Sequence, residues 1–320
     1  MSIEQEAIKA KADKGPFDAL VCSHKQVREC FYQLGLEFTD AGAKAFAQAE
    51  PGQFAQLDLS KAALPTAEKI PEDLADTAHR KILLRRPFSF CDVVVEGDKT
   101  TVEILYRVVG PATLRMTTLA KGDSVSVIGP LGNGFSIPAD KKTALLVAGG
   151  MGAGPLIHLA KVLTNDCPST EVFAFAGAKT AKELPFKGRL DKISQELGFS
   201  LAEFAEYGVK SFVATDDGSA GFAGPVTECF SDWLKQCSAA AKDMIIYGCG
   251  PEAMLAKVAE IARDRKIDCQ VSMERMMACG IGICQSCPVE CKVNGAGETI
   301  YKLCCKDGPV FDSKEVVFGS

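Results

Sequence analysis

Thr143-Ala-Leu-Leu-Val-Ala-Gly149-Gly-Met-Gly-Ala-Gly154-Pro-Leu-Ile-His-Leu-Ala-Lys-Val-Leu163 is the stretch on which the fold turns. Its first seven residues are a continuous apolar run, the pattern of a parallel strand covered on both faces. Glycines crowd the turn that follows, and from Pro155 the apolar residues recur at helical spacing. Such a turn lets a diphosphate approach the backbone, where the helix offers free N–H groups and its positive end. The pattern from Gly150 is G-x-G-x-x-P, with Pro155 in place of the third glycine of the dinucleotide fingerprint. Gly150, Gly152 and Gly154 are therefore candidate nucleotide-binding residues, although glycine-rich turns of this type also occur without a ligand.

Working outward, the strand theme returns in EVFAFAG (171–177), SFVATDD (211–217) and DMIIYGCG (243–250), and PVTECFSDWLKQC (225–237) and EAMLAKVAEIARD (252–264) are amphipathic helices. Strands alternating with helices predict an α/β parallel-sheet nucleotide domain over 141–268. Gly248-Cys249-Gly250-Pro251 ends the last strand, and ligands of such sheets bind beyond the carboxyl ends of strands, which adds Cys249, Gly250 and Pro251 to the candidates. Cys249 is placed near the nicotinamide ring, with a small packing residue as the alternative.

The chain has 320 residues, enough for two domains or three small ones. Hydrophobic residues at 47% and charged residues at 24% are ordinary globular usage and exclude wholesale disorder. A net charge of -5 gives no general attraction to nucleic acid or anionic lipid. The N-terminus lacks an apolar signal core, and the long apolar stretch from 143 to 160 is interrupted by glycines and a proline, so no membrane span is expected. Fourteen cysteines in a long chain without an export signal point to reduced thiols in the cytosol.

Before residue 140 the pattern is different. Residues 1–16 read as a polar extension, and from Ala19 to Val127 short strands rich in β-branched and aromatic residues alternate with turns. This predicts an antiparallel β-barrel domain over 17–140. Residues 60–81 are polar and proline-bearing, and read as an exposed excursion. The last segment, 269–320, is expected to be a small separate domain, because six of the fourteen cysteines fall between Cys279 and Cys305. Cys279-Gly-Ile-Gly-Ile-Cys284-Gln-Ser-Cys287 with a distant fourth cysteine is the C-x4-C-x2-C spacing of a [2Fe–2S] cluster, and Gly280 and Gly282 free the loop backbone to wrap the sulfurs. A four-cysteine zinc site is the alternative, but zinc ribbons usually show two C-x2-C knuckles and this chain has one. Cys304 and Cys305 compete for the fourth position, since adjacent side chains point in different directions. Cys291 is read as packing.

Arg86-Pro87-Phe88-Ser89 lies in the strand-rich half, where a lone arginine is more often a surface residue. Followed by Gly129-Pro-Leu-Gly-Asn-Gly-Phe135, by the glycine turn and by Tyr247-Gly-Cys-Gly-Pro251, it resembles the ferredoxin-reductase superfamily, in which a flavin barrel precedes a nicotinamide domain. The tail, from Met277 to Cys287 and then Cys305-Lys-Asp-Gly-Pro-Val-Phe311, is similar to one branch, the electron-transfer subunits of NAD-dependent dihydroorotate dehydrogenase B. The resemblance spans about Ala19 to Phe318 and implies the cofactors FAD, NAD and a [2Fe–2S] cluster. It puts Arg86 of the Arg86-Pro87-Phe88-Ser89 segment on the FAD phosphate and Ser89 by the isoalloxazine. It has Leu105, Tyr106 and Arg107 line the flavin, and it puts Ala112 and Thr113 where the family has Gly-Thr. Ala112 departs from that glycine. The family's last ligand directly precedes x-D-G-P-V-F, which selects Cys305.

What the resemblance implies for function is an oxidoreductase subunit of pyrimidine biosynthesis. Dihydroorotate would be oxidised on FMN in a separate catalytic subunit, two copies of each forming a cytoplasmic complex. A hydride carries two electrons and an iron–sulfur cluster takes one, so a flavin must stand between them. The alternatives are a flavin/iron–sulfur subunit of a hydrogenase or glutamate synthase-like complex, and a non-catalytic zinc-bearing module. His24, His79 and His158 are isolated and read as surface or packing residues, and no residue is assigned as a catalytic base.

Overall fold

Alternation of buried and half-buried side chains builds the first lobe. The computed structural model describes residues 15–186, 201–293 and 297–319, so nearly all of the expected N-terminal extension lies outside the described residues. Strands β1 (Pro16–Arg28), β2 (Phe31–Phe38), β3 (Phe54–Leu57), β4 (Arg86–Ser89), β5 (Asp92–Glu96), β6 (Lys99–Arg107) and β7 (Ser124–Leu131) form one antiparallel sheet in the order β4-β3-β7-β1-β2-β6-β5. The sheet curls until its edges approach each other. Phe88 of β4 lies edge-on to Tyr106 of β6 at 6.3 Å, and the Cys91 N–H donates to the Glu103 carbonyl at 2.8 Å. Leu34, Leu36, Ala55, Leu57, Val102, Ile104 and Val127 fill the inside. A helix, α1 (Asp40–Phe46), adds Phe46, stacked on Phe38 at 4.0 Å. Full burial of one such ring contributes about 2–3 kcal/mol.

The excursion over 60–81 is less exposed than its composition predicts. Leu74 and Ala78 are buried against Leu114 of α2 (Pro111–Met116), with Leu64 and Ile70 packed beside them. Arg115 of α2 donates to the carbonyls of Ala62 and Ala78, both at 3.4 Å. Apolar side chains scattered among the charges give the segment one face that packs.

The second lobe is the expected parallel sheet. Strands β8 (Thr143–Gly149), β9 (Glu171–Ala178), β10 (Lys210–Thr215), β11 (Phe222–Ala223), β12 (Met244–Cys249) and β13 (Asp268–Ser272) are ordered β11-β10-β9-β8-β12-β13. Helices α3 (Ala153–Asp166), α4 (Val226–Gln236) and α5 (Glu252–Arg265) cover it. In α4, Val226, Cys229, Phe230 and Leu234 are buried, and Trp233 packs on Phe173 at 4.7 Å. The chain leaves β8 toward β9 on one side and returns as β12 on the other, so the sheet reverses its winding between β8 and β12.

The cysteine-rich tail leaves this sheet and comes back to it. After β13 the chain runs through the cluster loop and the hairpin β14 (Pro288–Lys292) and β15 (Thr299–Leu303), then returns as β16 (Val310–Asp312), antiparallel to β13. It also docks on the barrel. The Asn133 N–H donates to the Gly308 carbonyl at 2.7 Å, and Asn133 Nδ2 donates to the Asp307 carbonyl at 2.9 Å. No helix among the described residues is long and apolar enough to cross a membrane.

Candidate functional site

The two glycine turns meet at the point where the sheet reverses. Ala148 of β8 stands opposite Cys249 of β12, so the turns that follow pack on each other. A Cβ on Gly152 would collide with the Cys249 carbonyl and fall 2.8 Å from the Gly250 nitrogen. Two backbones touch there, which is itself a reason for glycine at 152. Gly150, with φ 51 and nothing within 4 Å of a Cβ position, is the glycine that faces open space. Gly154 rests against Cys91 and Leu105 of the barrel, at 3.7 and 3.9 Å from its Cβ position. Pro251 is exposed beside the half-buried Cys249 and Gly250. Burial pushes the Cys249 thiol up to about 12, with a contact from the Ser272 side chain pulling the other way, so this thiol stays neutral.

Arg86, Pro87, Phe88 and Ser89 are all half-buried on β4. Arg86 Nη1 donates to the carbonyls of Leu84 at 2.7 Å and Arg85 at 3.2 Å. Leu105, Tyr106 and Arg107 do not share a face. Leu105 and Arg107 face the nucleotide lobe, where Arg107 lies 3.7 Å from Glu183. The Tyr106 ring turns into the barrel, stacked on Tyr32 at 5.5 Å, with its hydroxyl 2.9 Å from His24 Nε2. Burial raises its pKa far above the ordinary value. Strand alternation thus turns the Tyr106 ring to the opposite face from Leu105 and Arg107. Ala112 is buried in the first turn of α2, and Thr113 Oγ1 accepts from the backbone N–H groups of Val109 and Gly110 at 2.9 and 3.2 Å. Lys161 of α3 ties the lobes together through Asp92 at 2.5 Å. The histidines are spoken for: His24 by Tyr106, His158 by burial that lowers it to about 4, and His79 by solvent.

In the cysteine-rich segment the sulfurs fall into two pairs. The Cys284 N–H points at Cys279 Sγ, 3.4 Å away, and the Cys305 N–H at Cys287 Sγ, 3.5 Å away. The Gly282 N–H is directed at the Cys305 sulfur and links the pairs. Cys304 turns the other way, fully buried, with its thiol donating to the Met273 carbonyl at 3.3 Å. Cys291 is buried in β14 opposite Ile300. A [2Fe–2S] cluster takes two cysteine sulfurs on each iron, and the two pairs are Cys279 with Cys284 and Cys287 with Cys305.

The loop that presents the sulfurs has φ of 71 at Gly280, 84 at Gly282 and 57 at Gln285. The Ser286 hydroxyl, 3.1 Å from the Cys284 sulfur, and the neighbouring Cys279 hold the Cys284 thiol down to about 6, which favours the thiolate that ligation needs. Burial, then the neighbouring Cys287, pushes Cys305 up to about 12, so metal binding there releases a proton. Met276 is 90% exposed and Ile283 75% exposed, and Ile281 and Tyr301 are exposed as well.

Comparison with known proteins agrees with this geometry. The sequence model for the iron–sulfur cluster binding domain of dihydroorotate dehydrogenase B matches residues 274–317, and that for the oxidoreductase NAD-binding domain matches residues 146–260. The electron transfer subunit of dihydroorotate dehydrogenase B (NAD(+)) from Geobacillus kaustophilus is 36% identical over 300 residues, 93% of this chain and 96% of that one. This chain belongs to that family. The electron-transfer subunit of Caldanaerobacter subterraneus subsp. tengcongensis is 33% identical over 304 residues, 94% and 98% of the two chains. Among solved structures, an NADH-dependent reduced ferredoxin-NADP oxidoreductase superposes with a TM-score of 0.69 at 25% identity, over 94% of this chain and 90% of that one. Phthalate dioxygenase reductase, at 16% identity and a TM-score of 0.54 over 91% and 78%, shares the fold. As an electron-transfer subunit of this family, the chain is an NAD-dependent flavin/iron–sulfur oxidoreductase component that works with a catalytic partner subunit.

One residue at the centre of the site escaped the sequence reading. Gln56 of β3 stands opposite Pro87 of the Arg86–Ser89 strand, and its side chain lies against Gly280 of the cluster loop. Its signal was a lone amide in AQLDL (55–59), which alternation assigns to solvent.

Proposed function

We propose that Cys279, Cys284, Cys287 and Cys305 hold a [2Fe–2S] cluster on segment 269–320, that the lobe 17–140 binds FAD and that the lobe 141–268 binds NAD+. The observation that supports this most strongly is the pairing of four sulfurs at the corner where the tail meets the strand next to Arg86–Ser89. When bound, FAD converts between the electron pair of a hydride and the single electrons that an iron–sulfur cluster carries. The protein's own part is placement. β3 and β4 bring the flavin segment to the cluster loop, and α3, lying against Leu105, brings the glycine turn to the same barrel.

Arg86, whose Nη1 is held by carbonyls, offers its remaining donors to the FAD diphosphate, a charge-assisted contact. Ser89, Leu105 and Arg107 face the isoalloxazine, while Pro87, Phe88, Tyr106, Ala112 and Thr113 shape the walls behind it. Gly150 admits the NAD diphosphate to the backbone, with Gly152, Gly154, Gly250 and Pro251 setting the turns around it, and Cys249 stands neutral by the nicotinamide. Ile281 and Ile283 cover the cluster from water and meet the partner, a catalytic subunit that oxidises dihydroorotate on FMN in pyrimidine biosynthesis. Two copies of each subunit form the cytoplasmic complex.

The test is anaerobic co-purification followed by an assay of dihydroorotate-dependent NAD+ reduction. The complex is expected to catalyse it, and the isolated chain to oxidise NADH with artificial acceptors but not dihydroorotate. Dihydroorotate oxidation by this chain alone, or purified chain without flavin or with FMN in place of FAD, would overturn the reading.

A further inference from the structure

Gln56 is wholly buried, and among the described residues neither its Nε2 nor its Oε1 has a hydrogen-bond partner. Leaving a buried amide unpaired costs about 1–3 kcal/mol per group, so such a side chain calls for a partner outside the protein atoms. Its position says where that partner lies. β3 alternates, so Ala55 and Leu57 point into the barrel core while Phe54 joins the core around Cys287, Cys304 and Cys305. Gln56 shares the face of Phe54. A Cβ on Gly280 would fall 2.8 Å from Gln56 Cδ and closer still to Nε2, so the amide abuts Gly280, the residue that follows Cys279 in the cluster loop. Gln56 also lies opposite Pro87, between the flavin segment and the cluster loop.

We propose that Gln56 is a positioning residue for electron transfer: its carboxamide N–H donates a hydrogen bond to the iron–sulfur cluster at the Cys279 corner and makes the cluster easier to reduce. The inference rests on the cluster reading above. Reduction adds one negative charge to the cluster, and a donor aimed at its sulfurs favours that form. Inside a low-dielectric site such a bond gains strength, and the amide, fixed on a central strand, needs no reorganisation to make it.

The measurement is a potentiometric titration of the holoprotein, following the EPR signal of the reduced cluster, in the wild type, Gln56→Met and Gln56→Glu. Methionine keeps the volume and removes the donor. Gln56→Met with full iron content is expected to shift the reduced-to-oxidised ratio at fixed potential about tenfold toward oxidised, about 59 mV for one electron. Gln56→Glu is expected to shift it further in the same direction. An unmoved potential in iron-replete Gln56→Met overturns the proposal. Should that variant fail to fold or load, ENDOR on the reduced cluster of 15N-glutamine-labelled Gln285→Asn protein, which removes the other glutamine of the cluster loop, decides: a coupled, exchangeable side-chain N–H is expected, and its absence overturns the proposal. Wild-type protein without iron would sink the cluster reading instead, which keeps the two failures distinct.

Discussion

In the turn after β8, Gly149 and Gly152 are hemmed in by Pro251 and by the Cys249–Gly250 backbone, whereas in the cluster loop Gly280 and Gly282 meet the amide of Gln56 and the stem of Lys306. Both segments read G-x-G. In the first, glycine permits two strand ends to touch, and at Gly152 the neighbour cannot yield because the obstacle is main chain, whereas Gly149 meets the side chains of Pro251 and Met254. In the second, glycine supplies positive φ so that the backbone bends around sulfurs, and the neighbours are the side chains of Gln56 and Lys306. Between Gly152 and Gly280 the same spacing therefore means packing in one place and curvature in the other, and a substitution should break each in its own way.

The largest effect expected is at the sulfurs that the curved loop serves. Cys305→Ser should abolish bound iron and the visible spectrum of the cluster, while Cys304→Ser, facing Met273, should keep both. Iron loss in Cys304→Ser with retention in Cys305→Ser would contradict the two-pair arrangement. Next comes the packed turn. Gly152→Val should lower stability by about 3 kcal/mol through overpacking against main chain, read by urea denaturation, whereas Gly150→Ala, in open space, should cost about 1 kcal/mol of backbone strain and weaken NADH binding in a direct titration. Equal costs at the two positions would erase the distinction between them. A change smaller than that of Gly152→Val is expected in the loop: Gly280→Ala should cost about 1–2 kcal/mol from its φ of 71, and smaller side chains at Gln56 should recover part of the accompanying clash but none of the strain.

The smallest effect belongs to the far end of the sheet, remote from both glycine segments. Hydrogen bonds from Lys141 and Lys314 hold the Asp268 carboxyl below the usual carboxylate range. A depressed folded pKa contributes stability above the unfolded value, near 3.8, and that stability is lost as pH falls through the lower folded value. The site is solvent-accessible, so Asp268→Asn should cost less than about 1 kcal/mol at pH 7 and nothing at pH 2. A pH-independent loss in denaturant midpoint would assign it to packing.

Periodicity made most of the fold legible. TALLVAG (143–149) coincides with β8, and the tail spacing pointed to Cys279, Cys284 and Cys287, with Cys305 chosen over Cys304 by resemblance alone. What stayed hidden involves surfaces that a linear pattern cannot see being covered. Gln56 alternates to the outside of the barrel, yet the tail buries that outside. Leu74 and Ala78 sit in a charged stretch that packs on α2. Tyr106 was assigned with its neighbours by resemblance, and strand alternation separated them. Gly152 was read as a glycine beside a diphosphate, and spacing could not show that the Cys249–Gly250 backbone packs against it.

The pairing of β13 with β16 has a topological consequence. Ser272 and Val310 are direct partners across two antiparallel strands, so residues 273–309 leave and re-enter the sheet at adjacent points. The cysteine-bearing segment is anchored at both ends, unlike a module on a flexible tether, and its reach toward the barrel is set by strand register rather than by diffusion. Such a segment is interchangeable in principle: a two-residue reverse turn grafted between 272 and 310 closes the hairpin, and the remaining two lobes retain every ladder of the parallel sheet.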